Sequence, residues 1–214
     1  MTRSWLRPTL LVAVLVLAAA VALWPRESWG PREGRPPATA APRPEVPELD
    51  ELRDAAALAP CPAPAPGAVP AGPLAGVVLP CLGGPGTVDL GAALAGRPAL
   101  LNFWGPLCAP CREELPALAA YAGSPGAVPV LGVEVQRLPE GGLDLLVQLD
   151  VHYPSVSDPE GALRGALDSP PVLPLTYVVA PDGRVAQVNP PEVFRDPAQV
   201  RAAVARYLGP RAAG

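Results

Sequence analysis

Cys108-Ala109-Pro110-Cys111 is a C-x-x-C pair that comes after a short apolar run ending at Trp104 and opens a segment of helical apolar spacing. A cysteine at that junction meets the free N–H groups and the positive dipole end of the helix, which favour its thiolate and make Cys108 the attacking nucleophile. Cys111 lies one turn further in. It is the less exposed thiol and would resolve the mixed disulfide that Cys108 forms. Zinc needs two further ligands, and the only histidine, His152, has no partner near it in sequence, so no metal is expected and His152 reads as surface or loop filler. Covalent haem would require His after the second cysteine, where Arg112 stands. An inert structural disulfide is the competing use, since exported proteins tolerate disulfides.

Cys61 and Cys81 are separated by about 20 residues. In an exported protein, pairing is the expected fate of two such thiols, worth roughly 3 kcal/mol in the chain-entropy model. A second redox centre is the sharper alternative, but neither residue has a helix N-terminal setting.

The elements that must hold these residues alternate between strand and helix. The run 99–104, bounded by Pro98 and Gly105, is a buried strand, and 108–121 is a helix kinked at Pro116. Strands are expected at 76–79, 87–90, 128–135 and 155–157, and helices at 142–149 and 160–167. Residues 175–180 and 184–188 form a hairpin about Pro181-Asp182-Gly183. The last helix has Asp196 as N-cap and Pro197 at its first position and runs to about Leu208. The pattern is α/β, with a mixed central sheet.

Upstream, residues 8–25 carry no charge and come after Arg3 and Arg7, which suits a transmembrane anchor or signal peptide over 1–24. Either would carry the remainder of the chain out of the cytoplasm. Residues 25–75 contain 13 Pro and 4 Gly and are expected to form a tether with one short docked helix between Pro47 and Ala59. The domain proper is expected at 76–210. Pro and Gly make up a quarter of the 214 residues, yet half the chain is hydrophobic and the net charge is only −4, which excludes wholesale disorder. All 16 basic residues are Arg and show no clustering, so nucleic acid is not an expected partner.

The stretch Leu101-Asn-Phe-Trp-Gly-Pro-Leu-Cys-Ala-Pro-Cys-Arg-Glu-Glu-Leu-Pro116 resembles the active-site segment of the TlpA/ResA family of membrane-anchored, thioredoxin-like thiol-disulfide oxidoreductases. Tyr153-Pro154, Asp158 to Gly161, Leu173-Pro174-Leu-Thr-Tyr-Val-Val and Asp182-Gly183 extend the likeness over about residues 76–208. The resemblance implies a thioredoxin fold with an extra N-terminal hairpin and a central helix-strand insertion. It makes Pro174 the cis-proline facing the C-x-x-C pair, with Leu173 offering its backbone to a substrate strand alongside Trp104, Ala109 and Pro110. It gives Glu114 the proton traffic of Cys111, a role that thioredoxins proper assign to an Asp at the position of Asn102. Glu114 lies on the Cys111 side of the helix and Glu113 nearly opposite. The chain departs from the family in having Leu107 where Trp usually precedes the first cysteine.

The function expected is an extracytoplasmic protein disulfide reductase, a single-pass membrane protein and a monomer. It would use no cofactor beyond the Cys108/Cys111 pair, take electrons from a membrane thiol donor, and act on exported disulfide-containing proteins, with apocytochrome c as one candidate in cytochrome c biogenesis. A disulfide-forming oxidase, a non-catalytic thioredoxin-like binding module and a thiol peroxidase are the alternatives.

Overall fold

β3 (Ala99–Trp104) is buried at all six positions, which is why its sequence is an apolar run rather than an alternation. A computed structural model describes residues 48–209; the expected anchor at 1–24, the first part of the tether and the chain end lie outside them. β3 pairs in parallel with β4 (Val130–Glu134), and β4 in parallel with β5 (Ser155–Ser157). On its other side β3 pairs antiparallel with β6 (Leu175–Val179), which pairs antiparallel with β7 (Val185–Gln187). The order β5-β4-β3-β6-β7 makes one mixed sheet. A separate hairpin, β1 (Val78–Pro80) with β2 (Thr87–Asp89), reaches the sheet through a bridge between Cys81 and Val156.

Period-two alternation splits β3 between two cores. Leu100 and Trp104 point to the face covered by α3 (Ala109–Ala122), α4 (Pro139–Gln148) and α6 (Pro197–Leu208), where Leu115, Leu118, Leu143, Phe194 and Val200 are buried. Leu101 and Phe103 point to the opposite face, with Leu79, Val88, Leu131 and Leu163. That second face is closed by the β1–β2 hairpin, α2 (Leu90–Ala93) and α5 (Ala162–Ala166). Asn102 falls between Leu100 and Trp104, so its amide is aimed at the α3 side.

Several expected boundaries move for local reasons. The strand expected at 87–90 stops at Asp89, whose carboxylate accepts the Ala92 N–H at 3.0 Å and turns the chain into α2. α4 starts at Pro139 rather than 142, with proline at the first helical position. α3 runs through Pro116 as the single helix expected; Pro116 lies on its exposed face.

The short helix expected to dock between Pro47 and Ala59 is present, and the expected Cys61–Cys81 bridge ties down the chain that follows it. α1 (Leu49–Ala56) buries Leu52 and Ala56 against the α3 side of the core. The strap after it is fixed by the Cys61–Cys81 disulfide, by Ala59 N–H donating to the His152 carbonyl at 2.7 Å, and by buried Leu74. Its composition is poor in large apolar groups, but Leu52 and Leu74 both turn inward. His152 is an exposed loop residue as expected, but it is not filler. Its Nδ1 lies 2.8 Å from the Ala56 carbonyl and its Nε2 2.9 Å from Asp150, tying the end of α1 to the loop before β5.

Candidate active site

The loop 105–108 leaves the end of β3 and delivers Cys108 to the N-cap of α3, where backbone φ −92° and ψ 103° place its sulfur over the first turn. Cys108 and Cys111 form a disulfide, and the Cys111 N–H donates to Cys108 Sγ at 3.2 Å. That N–H is one of the donors a helix start leaves unsatisfied, so the sulfur sits where negative charge is best received. Cys111 is completely buried and Cys108 retains a sliver of exposure, while Ala109 and Pro110 between them are exposed.

Glu114 lies three residues after Cys111 on the same face of α3 and is only 1% exposed. Asn102 Nδ2 donates to its Oε2 at 3.3 Å, and Thr176 Oγ1 donates to its Oε1 at 3.5 Å. Asn102 Nδ2 also reaches Thr176 Oγ1 at 3.3 Å, and the Phe194 N–H adds a further donor to the carboxyl. Burial outweighs these donors and raises the Glu114 carboxyl from 4.5 to about 8, so the group holds its proton at neutral pH and can exchange it just above. Tyr153, fully buried, feels the same carboxylate: desolvation and then the Glu114 charge push its hydroxyl well above the usual range.

Leu173–Pro174 is a cis peptide bond. Because Leu175 pairs with Phe103, Pro174 stands at the end of the sheet from which the 105–108 loop departs. Leu173 is half-buried against both cores, and Asn189–Pro190 is a second cis bond, at a position no sequence motif marks. Trp104 does not fit the substrate contact expected of it. It is 0% exposed, packed beneath the site beside Gly132 and Gly142, so it supports the loop from below. Leu107, in contrast, is 77% exposed immediately before Cys108.

Sequence reasoning missed Thr176, Tyr153 and Phe194. A signal existed for the first: Asn102 and Thr176 are the polar interruptions of two apolar strands, and they are register partners across β3 and β6. Nothing local marks Phe194, whose contribution is a backbone N–H.

The sequence pattern of the AhpC/TSA family matches residues 77–188, just over half of the chain. The chain belongs to the AhpC/TSA family. Within it, the chain is 33% identical over 98 residues to the thiol-disulfide oxidoreductase ResA of Bacillus subtilis (strain 168), covering 44% of this chain and 54% of ResA. It is 39% identical over 108 residues to the thiol:disulfide interchange protein DsbE of Xylella fastidiosa, covering 50% and 52%. The soluble secreted antigen MPT53 of Mycobacterium tuberculosis is 30% identical over 102 residues, covering 47% and 58%. The chain thus spans about half the length of the curated relatives it matches. Among solved structures, a secreted Mycobacterium tuberculosis disulfide oxidoreductase homologous to E. coli DsbE superposes with a TM-score of 0.55 at 25% identity, over 63% of this chain and 97% of that one. The sheet flanked by helices is therefore a thioredoxin fold, and the relatives include ResA, the type expected from the active-site segment.

Proposed function

We propose that this chain is an extracytoplasmic thiol-disulfide oxidoreductase that reduces disulfides in exported proteins through Cys108 and Cys111. The observation that carries the reading is the Cys108–Cys111 disulfide at the N-terminus of α3, backed by a buried carboxyl at Glu114. The names of ResA, DsbE and the secreted antigen MPT53 support both the chemistry and the compartment. The second disulfide, Cys61–Cys81, also suits an oxidising compartment.

The cycle starts from the dithiol, made when a membrane thiol donor passes two electrons and two protons to the pair. The Cys108 thiolate attacks one sulfur of the substrate disulfide, forming a mixed disulfide and expelling one substrate thiolate. Glu114, in the ionised form that grows as the pH approaches about 8, then takes the Cys111 proton. The Cys111 thiolate attacks Cys108 Sγ, the mixed disulfide breaks, and the second substrate thiolate leaves and is protonated. The substrate gains two electrons and two protons, and the Cys108–Cys111 disulfide returns. Leu173 and Pro174 flank the pair and offer the backbone edge along which a substrate segment is held; Ala109 and Pro110 form the exposed surface between the sulfurs. Apocytochrome c is a substrate candidate through the resemblance to ResA. An N-terminal segment over 1–24 would anchor the domain on the outer face of the membrane. Among the described residues no helix is long and apolar enough to cross a membrane.

The reading is tested by trapping. In Cys111→Ser the mixed disulfide on Cys108 cannot be resolved, so an exported cysteine-containing protein is expected to accumulate as a reducible adduct that Cys108→Ser does not form. Absence of any adduct from both variants would leave a thioredoxin-like binding module as the better reading.

A further inference from the structure

Gln136 lies just beyond β4, outside every motif that pointed to the active site, yet its side chain reaches the loop that carries the nucleophile. Its Oε1 accepts the Leu107 N–H at 2.8 Å. Its own backbone N–H donates to Oε1 of Glu134 at 2.6 Å, and Glu134, completely buried, accepts Ser157 Oγ on its other oxygen at 2.9 Å. The loop is closed from inside by Cys108 N–H donating to the Gly105 carbonyl at 3.1 Å, and Pro106 has no N–H. Gln136 therefore takes the Leu107 N–H, which the loop's own backbone does not use.

Gly105 fits the same reading. It does not adopt positive φ, so no backbone conformation demands glycine there. A Cβ at Gly105 would fall inside Cγ, Cδ and Oε1 of Gln136, well below van der Waals contact. The glycine makes room for the glutamine side chain.

We infer that Gln136 is a positioning residue for Cys108: anchored on buried Glu134 and seated on Gly105, it fixes the 105–108 loop so that Leu107 projects outward and Cys108 stays at the N-cap of α3. The inference rests on Cys108 being the attacking thiol. Its test reads amide protection and thiol acidity rather than turnover, so it can fail while the redox function stands, and the redox function can fail while it stands.

The test compares the reduced wild-type protein with Gln136→Met, Gln136→Glu and Gly105→Ala. Exchange of the Leu107 amide is followed by NMR, and Cys108 acidity by the pH dependence of iodoacetamide alkylation. Gln136→Met keeps the shape but loses the acceptor. One hydrogen bond corresponds to about threefold to tenfold, so its Leu107 amide is expected to exchange that much faster and its Cys108 to hold correspondingly less thiolate at pH 6. Gly105→Ala, which pushes the side chain off its seat, is expected to do the same. Gln136→Glu retains an acceptor oxygen and is expected to restore Leu107 protection. Unchanged amide exchange and alkylation in both Gln136→Met and Gly105→Ala would overturn the inference. So would a lowered melting temperature with unchanged thiol acidity, because the glutamine would then serve packing alone.

Discussion

Replacing Glu114 by Gln removes a titration that burial has displaced. In the oxidised protein the carboxyl keeps its proton up to about pH 8, whereas in the unfolded chain it ionises near 4.5. Below 4.5 both states are protonated and the group adds no pH-dependent cost. As the pH rises from 4.5 towards 8, only the unfolded state releases the proton, so stability falls throughout that window and levels off above it. At pH 7 the interval from 4.5 corresponds to roughly 3 kcal/mol against folding, and beyond pH 8 to roughly 5 kcal/mol. Gln is nearly isosteric and can still accept from Asn102 while its amide faces Thr176. Oxidised Glu114→Gln is therefore expected to match wild type within about 1 kcal/mol at pH 4 and to exceed it by roughly 3 kcal/mol at pH 7. Urea unfolding of both oxidised proteins at half-unit steps from about pH 4 to 9 measures this directly. The same variant should resolve mixed disulfides more slowly, because the proposed proton acceptor for Cys111 is gone. A stability difference that does not change with pH would refute the reasoning, since Glu114 would then titrate alike in folded and unfolded chains.

Cys61→Ala with Cys81→Ala should lower stability by roughly 3 kcal/mol and make the 57–64 strap the first site of proteolysis, while leaving cycling of the Cys108–Cys111 pair intact. The His152 ring is raised above 6.5 by its bond to Asp150 and then by the Ala56 carbonyl, so the stability its charged form adds to the tie with α1 is fully present below that pH and is lost as the pH rises through the raised value. Hydrogen exchange of the Leu52 and Ala56 amides should therefore quicken, beyond the intrinsic pH dependence of exchange, as the pH passes through that raised value in wild type, and show no such step in His152→Leu. Gly132→Ala would place a methyl against Ser155 Oγ and 2.9 Å from Trp104 Nε1, and is expected to cost about 1–3 kcal/mol in thermal unfolding.

Much of the fold was legible because its signals are local. Ala99–Trp104 reads as a buried strand from composition alone, and Asp196-Pro197 marks the start of α6 where Asp196 caps the Ala198 and Gln199 amides. In the strap, the docked helix and the Cys61–Cys81 pairing were legible, but the path between and beyond them was not, because it rests on single apolar residues such as Leu74 and on the Ala59 N–H to His152 carbonyl bond. The site divides the same way. Cys108 and Cys111 come from a motif, and Glu114 and Pro174 from a resemblance. Asn102 and Thr176 meet only when β3 and β6 pair, 74 residues apart in sequence, and Gln136 reaches Leu107 across 29. Trp104 lies close to the motif in sequence, which suggested a substrate contact, but it ends a strand with a core on each face and is buried.

The proposed function requires Cys108 and Cys111 to form a reversible couple poised to reduce other disulfides. Equilibrating the protein with graded ratios of reduced and oxidised glutathione and quantifying the Cys108–Cys111 disulfide by alkylation and mass spectrometry tests it. Full, reversible two-electron cycling is expected, with a midpoint nearer the thioredoxin value of about −270 mV than the DsbA value of about −120 mV. A pair that stays oxidised at every ratio, or a midpoint close to that of DsbA, would contradict it.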